Sequence, residues 1–237
     1  MYFTVLGLGF ILGLRHALDP DHLVAISTIA GEHRSLKKAS LVGTFWGLGH
    51  TASLLVAGVA VIILKLQISE TTRLWMEFAV AVMLVLLGAR ALKRALHGWK
   101  FHIHMHAHDG HRHLHFHHHR PGEEHGRGHQ HRHLLRFGAR PFFIGMVHGM
   151  AGSAALMFLV LTTIPSAVVA LIYIGVFGLG SVVSMLVMSS LMSLPFILSA
   201  KRFNFVSEGL QVVAGFFSLS FGLFLIWQYG FQDHLIY

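Results

Sequence analysis

Residues 2–22 read YFTVLGLGFILGLRHALDPDH, and this stretch decides how the rest of the chain is interpreted. Residues 2–14 are largely apolar and would form about 20 Å of helix, whereas the hydrocarbon core of a bilayer is about 30 Å thick. A helix that crosses the membrane must therefore continue into the polar segment from Arg15 to His22. Each ionisable side chain placed at mid-span costs about 2.5–3.5 kcal/mol on insertion scales, so this segment indicates a binding site inside the membrane.

Pro20 interrupts this first helix, because proline cannot donate a hydrogen bond to the carbonyl of His16. We expect a discontinuous helix whose freed carbonyl lies beside two imidazoles and two carboxylates, an arrangement that suits a cation. His16, Asp21 and His22 are the candidate primary ligands. Asp19 lies three residues from each histidine, so it either supports a ligand or pairs with the preceding arginine. The alternative interpretation of the segment is a polar helix end in the headgroup region.

The composition is that of a polytopic membrane protein. Of the 237 residues, 54% are hydrophobic and 12% are charged, and a soluble domain typically has about twice that charged fraction. Apolar runs predict an all-α fold of about six transmembrane helices, at residues 2–30, 40–64, 74–96, 142–164, 166–198 and 205–230.

Cysteine and charge exclude several classes of function. The chain has no cysteine, which excludes disulfides, thiolate metal sites and cysteine nucleophiles. The formal net charge is +8 with all histidines neutral. In so apolar a chain this basic balance indicates loops on an anionic lipid bilayer, and we expect no nucleic-acid partner.

Three segments follow from the order of spans: a three-helix membrane repeat at residues 1–96, a histidine-rich loop at 97–140, and a second three-helix repeat at 141–237. Lysine and arginine are concentrated in the connections after spans one, three and five, whereas the other two connections hold only Lys65 and Arg73. The positive-inside rule then places both termini outside and the histidine-rich loop in the cytoplasm, for a multi-pass protein of the cytoplasmic (inner) membrane.

The two membrane segments show weak internal similarity. The residues around His16 align with those around His148 at an offset of 132, and Gly47–His50 aligns with Gly178–Ser181 at an offset of 131. Since each half has three spans, the second half would be inverted relative to the first, as in many secondary transporters. His50 lies at mid-span and is a further candidate ligand, while His148, Ser153 and Ser181 are candidates for the substrate path.

The loop holds 15 of the 21 histidines between His97 and His133. Neutral imidazoles at this density bind divalent metals weakly and collectively, which predicts a metal buffer or sensor. The alternative is a solvated basic linker. Alternation of histidines could form a strand, but we expect a disordered loop because an apolar face is missing and glycines flank the segment. The candidate auxiliary ligands are His102, His104, His106, His108, His117, His118 and His119.

The segment His16-Ala17-Leu18-Asp19-Pro20-Asp21-His22 has the pattern HxxxxDH. It resembles the nickel/cobalt transporter (NiCoT) family, and particularly its six-span relatives, the nickel/cobalt exporters and urease-accessory membrane proteins. Gly49-His50-Thr51 is similar to a second signature of the family, and residues 148–156 resemble a stretch of the six-span branch. The resemblance implies Ni²⁺ or Co²⁺ as the transported substrate, and a cytoplasmic metallochaperone or urease or hydrogenase maturation proteins as partners.

Ligand chemistry agrees with this resemblance, because imidazole and carboxylate bind Ni²⁺ and Co²⁺ well without thiolate. The sequence therefore predicts a secondary transporter rather than an enzyme, with no permanent cofactor and with the direction of transport and the oligomeric state open. A transporter of another divalent metal such as zinc is the nearest alternative. A membrane haem-binding electron carrier with His50 and His148 as axial ligands is a second, and an intramembrane metallopeptidase is weakened by the absence of an HExxH sequence.

Overall fold

The computed structural model describes residues 2–33, 35–65, 69–98, 102–108, 111–117, 134–150, 164–202, 204–233 and 235. Its helices are α1 (Tyr2–His16), α2 (Pro20–Ala30), α3 (Leu36–Ile62), α4 (Glu70–Gly98), α5 (Leu134–Gly149), α6 (Ala167–Arg202) and α7 (Asn204–Trp227), the last followed by a π-helical turn at Gln228–Gln232. The prediction of a helical membrane protein is confirmed, since four helices of the described residues are long and apolar enough to cross a bilayer, at Leu36–Ile62, Glu70–Leu96, Ala167–Ala200 and Phe205–Gln232.

The first predicted span is two helices. α1 ends at His16 and α2 begins at Pro20, because proline is tolerated at the first helical position. The discontinuity is confirmed. The prediction that the carbonyl of His16 is left without a donor is wrong, because the N–H of Asp19 donates to this oxygen at 3.1 Å. The N–H of Leu18 likewise donates to the carbonyl oxygen of Arg15 at 2.9 Å, so a tight turn closes the end of α1.

α5 starts earlier than the predicted fourth span, at Leu134 instead of residue 142, and contains Pro141 inside the helix. Residues 151–163, which complete that predicted span, lie outside the described residues. The fifth and sixth predicted spans correspond to α6 and α7. α6 continues through Pro195 and reaches Arg202.

Helices from the two membrane segments cross at glycines. Gly13 of α1 packs against the carbonyl oxygen of Phe177 in α6, and Gly145 of α5 packs against the carbonyl oxygen of Trp46 in α3. A Cβ at either glycine would overlap the facing backbone. These positions therefore require glycine because the two backbones are in direct contact.

The same crossings contain a second matched pair. Gly49 of α3 packs against the carbonyl oxygen of Phe142 in α5, and Gly180 of α6 packs against that of Phe10 in α1. All eight residues of the two pairs of crossings correspond to one another at sequence offsets of 131 or 132. Each of these two glycine contacts made by the first segment on the second is thus repeated by the second on the first.

Apolar side chains occupy both the interior and the outer surface of the bundle. The larger buried cluster joins Ile26, Trp46, Leu84 and Met185 from α2, α3, α4 and α6. Other large apolar residues are exposed on the outside of the helices, as Val168 shows with 67% of its surface accessible. An apolar interior with an equally apolar exterior is what a helix bundle surrounded by lipid requires.

Two strands lie within the histidine-rich segment. β1 (His102–His108) pairs antiparallel with β2 (His111–His117). For these two stretches the expectation that no strand forms is wrong. The intervening Asp109-Gly110 favours a two-residue hairpin turn, and the positions between the histidines are in part apolar, as at Ile103 and Phe116. His118 and His119 lie outside the described residues.

Candidate metal centre

Four histidines from four helices meet at the level of the helix break. His16 ends α1, His22 lies in the first turn of α2, His50 is in α3 and His148 is near the end of α5; their exposures are 6%, 0%, 1% and 0%. The rings of His22 and His148 are 4.0 Å apart between centroids, and those of His16 and His50 are 4.9 Å apart. The structure thus brings three predicted ligands together with His148, which was predicted for the substrate path.

His16 is held at both ring nitrogens. Its Nδ1 lies 3.0 Å from Oδ2 of Asp19, and its Nε2 lies 3.0 Å from Nε2 of His50. Because the carboxylate only accepts, Nδ1 of His16 carries the proton and donates to Asp19. Nε2 of His16 is then the acceptor for the N–H of His50. Asp19 therefore orients a histidine, which is one of the two roles that the sequence left open for it.

Asp21 lies between two histidines of different membrane segments. Its Oδ1 is 3.1 Å from Nδ1 of His22, and its Oδ2 is 2.9 Å from Nε2 of His148. Both imidazoles donate to the carboxylate, which also lies in the first turn of α2, where the helix dipole stabilises negative charge. This carboxylate is thus a direct polar link between the two segments.

Three imidazole nitrogens of the cluster have no hydrogen-bond partner: Nε2 of His22, Nδ1 of His50 and Nδ1 of His148. In each ring the other nitrogen carries the donated proton, so each of these three atoms presents a lone pair. A buried polar atom without a partner costs about 1–3 kcal/mol. Lone pairs of neutral imidazoles are also the usual nitrogen ligands of transition metals.

The spacing of donor atoms fits a metal ion. One nitrogen each from His16, His22 and His50 lie within 4.8 Å of one another, as do ligand atoms of Asp21, His22 and His148. Imidazole binds zinc at about 2.0–2.1 Å, which in a tetrahedral site separates two nitrogens by about 3.4 Å. Side-chain shifts of about 1 Å would therefore bring either group to bonding distance, with His22 common to both.

Two aromatic rings that the sequence analysis overlooked form walls of the cluster. The ring of Trp46 lies 5.5 Å from that of His22 and 5.4 Å from that of His148. The ring of Phe177 lies 5.5 Å from that of His16. Both belong to apolar stretches, so only their alignment at an offset of 131 sets them apart in the sequence.

Of the two serines predicted for the substrate path, the structure describes only Ser181. Ser181 is buried, and its hydroxyl lies 3.1 Å from the carbonyl oxygen of Phe177 and 3.3 Å from that of Gly13. It therefore lies at the crossing of α1 and α6 and can donate to either backbone. Ser153 lies outside the described residues.

The proposed haem site does not fit this geometry. The rings of His50 and His148 are 6.3 Å apart, but the ring of His22 lies 4.0 Å from one and 5.3 Å from the other. A porphyrin held between the two axial imidazoles would overlap His22. The cluster is therefore suited to a bare ion and not to a macrocycle.

A second polar cluster lies beyond the cytoplasmic end of α2, by the predicted topology. Glu32 accepts hydrogen bonds from Arg94 of α4 and, at 3.1 Å, from Arg140 of α5. Burial by itself would raise the pKa of Glu32, but the two guanidinium groups outweigh it and hold the pKa below its usual value. Like Asp21, this carboxylate connects α5 with the first membrane segment.

Comparison with known proteins gives one family match. Residues 2–157 match the NicO model, described as a high-affinity nickel-transport protein. The urease accessory protein UreH of Bacillus sp. (strain TB-90) is 37% identical over 232 residues, which cover 98% of this chain and 94% of that protein.

Two plant proteins are more distantly similar. The chloroplast protein FOR GROWTH AND FERTILITY 2 of Arabidopsis thaliana is 27% identical over 179 residues, covering 75% of this chain and 44% of that protein. Its namesake FOR GROWTH AND FERTILITY 1 is 35% identical over 89 residues, covering 37% and 24%. No solved structure matches the chain significantly.

Proposed function

Because the chain belongs to the NicO family of high-affinity nickel-transport proteins, we propose that it moves Ni²⁺, and also Co²⁺, across the cytoplasmic membrane by binding the ion in the histidine cluster. The observation that carries this proposal is the set of three buried imidazole nitrogens without partners, on His22, His50 and His148. They lie inside a bundle of apolar helices, where a dication has no water to replace its ligands.

The ligand set favours a borderline transition metal over a hard cation. Imidazole nitrogens outnumber carboxylates around His22, and Ni²⁺ stands near the top of the affinity order for such ligands. Asp21 supplies the negative charge that partly offsets the dication. We assign His16, Asp21, His22 and His50 as ligands and His148 as a fifth, with Asp19 orienting His16.

We further propose that the two membrane segments are an inverted repeat of three spans each. The matched crossings of Gly13 with Phe177 and of Gly145 with Trp46 support it, because a two-fold axis in the membrane plane would generate one from the other. The pairing of His16 with Phe177 and of His148 with Trp46 follows the same relation.

Alternating access follows from this arrangement as rocking of one segment against the other. The contacts of Asp21 with His148 and of Glu32 with Arg140 both join α5 to the first segment. Opening towards the cytoplasm requires separation at Glu32. By the positive-inside rule, we place both termini outside and the histidine-rich loop in the cytoplasm. There the imidazoles of the loop buffer the metal, and a metallochaperone or maturation protein exchanges it.

Nickel flux in oriented proteoliposomes tests the transport site. We expect wild-type protein to move radiolabelled Ni²⁺ and the His22→Ala variant to move none, because the variant loses the histidine common to both candidate ligand groups. His33→Ala is the matched control, since His33 contacts the ring of Phe137 and lies away from the cluster. Flux at the wild-type level in a well-inserted His22→Ala protein would refute the assignment.

The same vesicles resolve direction and selectivity. Imposed metal and proton gradients of either sign show whether transport is inward or outward and whether protons move with the metal. Competition by Co²⁺ at concentrations that inhibit Ni²⁺ flux would support a shared site. If Zn²⁺ is transported in preference to both Ni²⁺ and Co²⁺, the protein is a zinc transporter, which was the nearest alternative function.

A further inference from the structure

The pairing of β1 with β2 places histidine opposite histidine at every second position. The pairs are His102 with His117, His104 with His115, His106 with His113 and His108 with His111. Alternate positions of a strand share a face, so the register places all eight histidine positions on one face of the hairpin. The intervening positions hold, among others, Ile103 opposite Phe116 and Met105 opposite Leu114.

We propose that these four cross-strand pairs are discrete metal sites, each pair binding one divalent transition-metal ion through two imidazoles. We call the eight residues His102, His104, His106, His108, His111, His113, His115 and His117 the histidine ladder. The proposal rests on the proposed metal buffering by the loop and specifies its ligands, including His111, His113 and His115, which the sequence did not single out. It does not involve the cluster within the membrane.

Strand geometry supplies the physical reason. Directly opposite residues of an antiparallel pair have Cβ atoms about 4.5–5.5 Å apart, within reach of one ion for two imidazoles. Neighbouring pairs on the same face are about 6.6–6.8 Å apart along the strand, so each ion has its own nearest pair. A histidine-rich chain without this register would offer no preferred partners.

The ladder also links metal binding to folding. A two-stranded hairpin is marginally stable in water by itself, so a metal that joins opposite residues stabilises the register that forms its own site. Protonation of imidazoles near their ordinary pKa of about 6.5 removes the ligands and releases the ions. The hairpin is therefore expected to bind several ions at neutral pH and to release them as the pH falls.

Two double variants with the same number of histidines distinguish a ladder from an unpaired loop. His104→Ala with His115→Ala removes one pair, whereas His104→Ala with His113→Ala breaks two pairs. Calorimetric titration of the full-length protein in detergent with Ni²⁺ should show about one ion lost in the first variant and about two in the second. Equal losses would overturn the proposal.

Further variants distinguish the effect of losing histidines from the effect of losing the strand register. Nickel flux, measured in the same variants, distinguishes metal binding from transport. His129→Ala with His131→Ala removes two histidines outside the strands and should cost less binding than the variant that breaks two pairs. Gly110→Pro keeps all eight ladder histidines but prevents the positive φ that Asp-Gly turns use, so it should also weaken binding. Unchanged binding would contradict the ladder. Nickel flux should persist in every variant, and its loss would instead count against the proposed transport site.

Discussion

The two membrane segments pack against each other through matching contacts, yet they differ in chemistry. The first provides His16, Asp21, His22 and His50, whereas the second provides His148 among the described residues of the cluster. At the positions aligned with Asp21 and His22, the second segment has Ser153 and Ala154. The comparison teaches that matching backbone contacts between two segments can surround a cluster whose polar side chains come mostly from one of them.

The largest expected effect is the loss of the charge that only the first segment supplies. Asp21→Asn keeps the shape of the side chain but removes the negative charge that two histidines contact. Because substitutions of groups that support metal ligands cost about 10–100-fold, we expect more than about 100-fold loss of nickel flux here. Measurement of flux in proteoliposomes checks this, and a variant that retains half of the wild-type rate would contradict it.

The two aligned histidines should differ in importance. His16→Ala removes a ring held by both Asp19 and His50, whereas His148→Ala removes one whose hydrogen bond among the described residues is to Asp21. We expect His148→Ala to retain more flux, with a loss of about 10-fold. Equal losses, measured as maximal rate and half-saturating Ni²⁺ concentration, would show that the two segments contribute to the site equally.

The packing of the two segments should respond alike to matched substitutions. Gly13→Ala and Gly145→Ala each force a Cβ against a facing carbonyl, so each should lower the free energy of unfolding by about 1–3 kcal/mol. Gly7→Ala and Gly175→Ala are the controls, because neither glycine has an atom within 4 Å of an added Cβ. Thermal unfolding in detergent provides the measurement, and clearly unequal losses in the two matched variants would contradict the expected similarity of the two segments.

The smallest expected effect concerns the ion pairs of Glu32. Its pKa is held below the usual value, so its stabilising contribution is complete at neutral pH and is lost as the pH falls through that lowered pKa. Since both arginines are partly exposed, Glu32→Gln should cost about 1 kcal/mol or less. The wild-type melting temperature should approach that of the variant only in acid, and parallel pH profiles would contradict this.

Much of the helical fold and of the cluster follows from the sequence for definite reasons. An apolar run too short to cross a bilayer, followed by charged residues and a proline, predicts both the break after α1 and the site beside it. The four residues His16, Asp19, Asp21 and His22 lie within one short segment, so the sequence alone predicts that they act together. The alignment of His16 with His148 also pointed to the partner across the bundle.

Other features depend on contacts between distant positions. Trp46 and Phe177 line the cluster only because α3 and α6 cross beside it. The sequence around each of them is as apolar as the sequence around a residue that faces lipid. The bond from Asp19 to the carbonyl of His16 is a local turn that a helix-breaking rule for proline does not describe. In the hairpin, the sequence analysis considered the many histidines and overlooked the apolar residues between them, so it did not predict the two strands.

The glycine crossings have a mechanical consequence. Where α1 meets α6 and α5 meets α3, the backbones contact each other without intervening side chains at Gly13 and Gly145. A rotation of one helix pair about such a point moves few side chains at the contact itself, because glycine has no side chain to withdraw. In the rocking motion proposed above, these crossings are the expected pivots, because a small rotation there moves the two segments apart beside the histidine cluster.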